Sequence, residues 1–262
     1  MRLRPVALSI LLMIPLALLA QVRVEVPPAA KINVTYTEPA DAGQADRLRE
    51  VAARVKGPAD QLDPLNEISL VIVHSQRELD QRLGPEAEGR LAGVSYVHGI
   101  LFLSPNTWAR NPTGEAIDHE MQEALIRYNV ERLAGGNRIP FWLEDGLVSV
   151  LGKRPFAPAS AEPVAQRGAL LLVRFEPDDP AVGYWAVRYL IEQRGGLTSL
   201  RQLLRLSAQR PDSFVENLQL TYGISVGELE REWRKWLQAL VDADKRQRET
   251  GVKEGPLVRP KE

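Results

Sequence analysis

The sequence predicts an α+β fold, with a small mixed sheet and its edge strand assembled from residues 31–111 and a helical lobe over residues 112–244. Three observations predict it. Alternating or β-branched runs are confined to the first part. Every later segment with a clear pattern has helical spacing, and several of them end at glycine or proline. At the join lies a helix that mixes charge into an apolar pattern, Ile117-Asp118-His119-Glu120-Met121-Gln122-Glu123-Ala124-Leu125.

Taken in order, residues 31–37 alternate Ile32, Val34 and Tyr36 against polar partners, which predicts a half-buried strand. Residues 41–55 turn helical, with Ala45, Leu48, Ala52 and Val55 on one side and Gly57-Pro58 as the stop. The continuous apolar run 68–73 reads as an interior strand. Ser75 and Glu78 form a capping box that opens a short helix ending at Gly84-Pro85. Residues 94–97 and 100–103 read as two short strands turning at His98-Gly99, and the second, running into Ser104-Pro105, is expected at the sheet edge.

A long helix is predicted over 113–133, closed by Gly135-Gly136, and another over 141–151 with Pro140 at its first turn. Residues 152–178 carry no clear pattern apart from an apolar run at 169–175. Helices follow over 179–194, 197–209, 212–222 and 225–244, the last opened by a second capping box at Ser225 and Glu228. Residues 245–262 are mixed in charge and read as a flexible tail.

The composition excludes several classes of function. A formal charge of −1 over 262 residues gives no electrostatic reason to expect nucleic acid as a partner. The absence of cysteine removes disulfides, thiolate ligands, thiol nucleophiles and a lipidated cysteine. Arg2 and Arg4 precede an apolar stretch, 5–20, broken only by Ser9, which is the pattern of an export signal. Ala20 suits the end of a cleavage site, whereas Leu18 stands where a small residue is preferred. Residues 1–20 are therefore a signal peptide or an N-terminal membrane anchor. Either reading puts the body outside the cytoplasm, secreted, periplasmic or anchored, with membrane contact only through this segment.

The helix at the join carries the chemistry. At 100° per residue, Ile117, Met121, Ala124, Leu125 and Tyr128 form one stripe, and His119, Glu123, Ile126 and Val130 form another. His119 and Glu123, four apart, share a face, with Glu120 beside it. H-E-x-x-E is one residue from the H-E-x-x-H helix that supplies two zinc ligands and a general base. Downstream stand Pro140-Phe141-Trp142-Leu143-Glu144-Asp145-Gly146-Leu147, then Gly183-Tyr184-Trp185-Ala186-Val187-Arg188-Tyr189-Leu190, then Leu229-Glu230-Arg231-Glu232-Trp233-Arg234-Lys235-Trp236-Leu237. In this order and spacing, over about residues 67–240, the chain resembles the peptidase MA-like domain, a relative of the gluzincin-type zinc metallopeptidases. The resemblance implies a zincin-like fold, with His119, Glu123 and Asp145 (or Glu144) in the ligand positions, Glu120 as general base and Tyr184 where a phenol supports an oxyanion.

The departures are in the ligands. The family's second histidine is Glu123 here, and its glutamate before glycine is Asp145, with Glu144 just ahead of it. In one reading the site is degenerate and holds no cofactor. Glu123 then pairs with Arg127, and the domain serves in the cell envelope as a binding module for an extended peptide or an envelope protein. In the other, one imidazole and two carboxylates hold a divalent metal, zinc, manganese or iron, and the chain is an active peptidase. Tyr184 has a packing role as its alternative, beside Trp185 and Tyr189, and Trp142, Trp185, Trp233 and Trp236 are expected to build the helical core. His74 and His98 read as turn or surface residues.

Overall fold

In the computed structural model of the chain, the described residues are 30–84, 90–110, 112–154, 156–157, 160–166, 172–173 and 179–250. The leader-like stretch 1–20 lies outside them, as do most of the 169–175 run and the end of the chain. The fold is a mixed α+β one, with a four-stranded sheet and a large helical lobe. Strand β1 (Lys31–Tyr36) is followed by α1 (Ala42–Val55), the single turn α2 (Gly57–Asp60) and β2 (Glu67–Val73). Then come α3 (Gln76–Leu83), β3 (Ala92–Ser95) and β4 (Gly99–Leu103).

The sheet order is β1-β2-β4-β3, with β1, β2 and β4 parallel and β3 antiparallel to β4. This corrects the expectation for residues 100–103. All five residues of β4 are buried because the strand is interior, and the edge is β3. The apolar continuity of β2 and β4 has the same cause. Ile68, Leu70, Ile72, Ile100 and Phe102 face the main core, while Val73, Leu101 and Leu103 face a smaller one closed by Leu79 of α3. The β3–β4 connection is the loop Tyr96-Val97-His98 followed by Gly99 at φ 82°, where a Cβ would meet the Ser69 carbonyl at 2.5 Å.

The lobe begins with α4 (Gly114–Leu133), whose N-terminus is capped by the Thr113 hydroxyl accepting from Ala116 N–H. It buries Ile117, Met121, Ala124, Leu125, Ile126 and Val130, so both apolar stripes are covered along most of its length. Asn129, also buried, donates to the carbonyls of Ala59 and Asp63 and ties α4 to the turn after α2. Helices α5 (Phe141–Leu151), α6 (Ala161–Gln166), α7 (Pro180–Gln193), α8 (Gly196–Gln209), α9 (Phe214–Tyr222) and α10 (Val226–Thr250) complete the lobe. Trp142, Trp185 and Trp233 lie in its core and Trp236 at the margin, as expected. The last helix runs to Thr250, past the limit of 244 read from the sequence.

The expected membrane contact is corrected. Among the described residues no helix is long and apolar enough to cross a membrane, and the segment on which that contact rested is not among them.

Candidate functional site

The site lies where α4 passes the edge strand. Residues Arg90–Val94, leading into and along β3, form one wall, and Glu120, Glu123, Arg127 and Glu131 of α4 form the other. Two adjoining hollows of about 320 and 530 Å³ share Arg90 and Arg127 and make an elongated groove. The hydrogen-bond phase of the hairpin sets what β3 offers to it. Leu91 accepts from Leu103 N–H, so Leu91, Gly93 and Ser95 bond inward to β4. By the alternation of an antiparallel pair, the backbone groups of Ala92 and Val94 point outward, and among the described residues no strand pairs with them.

The α4 helix brings His119 and Glu123 together, with His119 Nε2 3.3 Å from Glu123 Oε1. Arg154, just past the end of α5, pairs with the same Glu123 oxygen and lies 3.4 Å from His119 Nδ1. The two contacts to Glu123 are ion pairs by distance without the angles of hydrogen bonds, and they hold a buried Glu123 Oε1, whereas the Arg154–His119 contact is a hydrogen bond. Glu120 is half-buried beside it. Burial and the Glu123 charge push its carboxyl above the ordinary range, against the opposing pull of His119, Arg154 and Arg127. At the far end of the groove Glu131 also has a buried oxygen with no partner, and burial together with Glu144 pushes its carboxyl up to about 7.

Asp145 and Glu144 do not join this group. Arg127, 15% exposed, reaches across to α5 and donates to Glu144 Oε1 at 2.7 Å and to Asp145 Oδ1 at 2.5 Å. Burial opposes its charge, but the two carboxylates outweigh that and hold the guanidinium charged more firmly than usual. The expected pairing of Glu123 with Arg127 is therefore corrected. Arg127 faces two carboxylates near the start of α5, and Glu123 is left to His119 and Arg154.

The residues in the ligand positions do not fit a metal ion. A guanidinium donates only, so the Asp145 and Glu144 oxygens that would coordinate are turned to Arg127 N–H groups. Two cationic side chains stand against the carboxylates, where a divalent ion would have to compete with them. Among the described residues no three His, Asp or Glu side chains gather as a metal site.

Tyr184 is 7% exposed and packs 5.1 Å from Phe156 and edge-on to Trp185 at 4.9 Å, the packing role given as its alternative. It also lines a hollow beside Arg154, with Lys153 and Arg188. Arg154 was not singled out in the sequence, because it lies in the patternless 152–178 stretch, and its only signal is a cation at a helix end. His98 is exposed at the hairpin turn as expected. His74 is not a simple surface residue. Its Nδ1 lies 2.9 Å from the fully buried Asp41, which also accepts from Ser104 and Asn106.

Comparison with protein-family models, with curated proteins and with solved structures returned no match for this chain.

Proposed function

We propose that this chain is a metallopeptidase-like protein of the peptidase MA-like, gluzincin kind, whose helix has exchanged metal chemistry for guanidinium–carboxylate pairs. Its role in this reading is to hold an extended peptide by strand addition to β3. The observation that carries it is the outer edge of β3 at Ala92 and Val94, which no strand among the described residues pairs with, facing a groove in which Glu131 Oε2 lacks a hydrogen-bond partner. An added strand supplies the N–H and C=O groups that the edge is missing, and main-chain hydrogen bonds give affinity with little demand on sequence. With the export-like stretch at 1–20, the proposed place of action is outside the cytoplasm.

The test is fluorescence polarisation of a labelled pool of randomised eight-residue peptides against the full chain and its Ala92→Pro variant. Proline at an edge position whose N–H points outward leaves the β3–β4 ladder intact. Saturable binding that the variant loses, with an unchanged circular dichroism spectrum, is expected. Binding that survives in Ala92→Pro would overturn strand addition.

A further inference from the structure

A third hollow, of about 260 Å³, is lined by Ser149, Lys153, Arg154, Tyr184, Arg188 and Glu192 among others. Three cations line it with one carboxylate, Glu192, while a second, Glu123, pairs with Arg154 from the groove. Arg154 joins the hollow to the groove, because the same guanidinium contacts His119 and Glu123. Arg188 is fixed in place from two sides. It donates to Glu192 at 2.6 Å, and its guanidinium lies 5.2 Å from the Trp185 ring centroid. Burial opposes its charge, and Glu192 and Tyr184 together outweigh that.

Lys153 gives an independent observation. Helix α5 ends in a reversal in which Arg154 N–H bonds to the Ser149 carbonyl at 2.9 Å and Lys153 N–H to that of Val150 at 3.4 Å. The residue at the turn of such a reversal is left-handed, and glycine is its default occupant. Here it is Lys153 at φ 56°, the one non-glycine residue with positive φ among those described. No carboxylate pairs with Lys153 among the described residues. A strained position has been given to an unpaired cation at the mouth of a cationic hollow, where glycine would relieve the strain.

Resting on the peptide-binding reading of the groove, we propose that the bound peptide is anchored by a carboxylate seated among Lys153, Arg154 and Arg188. The carboxylate is that of the peptide C-terminus or of an acidic side chain. Guanidinium forks match the two oxygens of a carboxylate, and Lys153 adds a mobile point charge. The hollow is smaller than a typical pocket for a whole small molecule and suits the end of a chain that lies elsewhere.

The test uses the full chain and four pools of randomised eight-residue peptides labelled at the N-terminus. The pools end in a free acid or an amide, and either contain or lack Asp and Glu. A pool with the right carboxylate is expected to bind about tenfold more tightly, the scale of one charge-assisted hydrogen bond. Preference for the free acid assigns the C-terminus, and preference for acidic sequences assigns a side chain. Lys153→Gly is expected to keep or raise the melting temperature while removing most of the preference. If Lys153 served only to offset the dipole of α5, the variant would leave the preference intact, and that result overturns the proposal. Equal binding of all four pools overturns it too, with the peptide-binding groove left standing. Absence of binding by every pool sinks the groove reading and this proposal with it.

Discussion

At the scale of single residues, a fully buried carboxylate with several partners lies away from the H-E-x-x-E helix. Asp41 has no exposed surface, and its carboxylate accepts from Ser104 Oγ at 2.5 Å and Asn106 Nδ2 at 3.1 Å, with His74 Nδ1 at 2.9 Å. Asp41, His74 and Ser104 lie just beyond the C-terminal ends of β1, β2 and β4, so one carboxylate joins the ends of all three parallel strands. Burial alone would raise its pKa, but the bonds from Ser104, His74 and Asn106 outweigh it, and the group is held below the ordinary value. A depressed folded-state pKa contributes stability that is fully present above the unfolded value, about 4, and is lost as pH falls through the lower folded value. We expect Asp41→Asn to cost about 2 kcal/mol or more at neutral pH, since it sets an amide donor against existing donors. The difference from wild type in urea unfolding should shrink as pH falls below about 4. A constant difference down to acid denaturation would show that the Asp41 charge is not the cause. None of this was legible in the sequence, because the three residues are far apart in the chain and only the parallel strand order brings them together.

At the scale of elements, what the sequence showed and what it hid divide by the range of the interaction. Local chemistry read correctly: the Ser75 cap is in place, and the β-branched run of β2 is an interior strand. Which strand is the edge was misread, because β3 and β4 are both short and apolar and only their neighbours tell them apart. The partner of Arg127 was misread for the same reason. Spacing of four on one helix favours Glu123, whereas two carboxylates on α5 offer more in a buried setting. The glycine of Glu144-Asp145-Gly146 has a packing reason visible only in three dimensions. Helices α5 and α7 cross so closely that a Cβ on Gly183 would lie 2.6 Å from the Trp142 carbonyl. Backbone cannot give way as a side-chain tip can, so Gly183→Ala should lower stability by about 2 kcal/mol or more, read by thermal or denaturant unfolding. An unchanged midpoint would mean that the crossing is looser than described. Because α5 carries Glu144 and Asp145, this crossing also sets how the carboxylates meet Arg127.

At the scale of the whole molecule, the order of elements, a small sheet, an H-E-x-x-E helix and a helical lobe, was legible in the sequence, while the chemistry of the groove was not. The letters His119, Glu123 and Asp145 resemble a ligand set with two changes, with Glu120 in the place of its base, yet they leave out Arg127 and Arg154, which pair with the carboxylates. Glu123→His and Asp145→Glu alone would leave one guanidinium on the α5 carboxylates and a second beside His119. The prediction is therefore a matched pair of proteins. Wild type, given zinc, manganese or iron, should keep its melting temperature and carry no stoichiometric metal. The variant Glu123→His, Asp145→Glu, Arg127→Met and Arg154→Ala should gain zinc, with a stabilisation of about 2.7 kcal/mol at a hundredfold excess over the dissociation constant. Methionine replaces the Arg127 stem with an apolar chain of similar length, so that loss of the ion pairs is not compounded by a cavity. Stoichiometric zinc in wild type that disappears on His119→Ala would overturn the reading of the site as metal-free. A variant that folds, by its circular dichroism spectrum, but ignores zinc would count against the zincin-like placement of α4 and α5, while leaving the β3 groove and its peptide to be judged on the binding measurements alone.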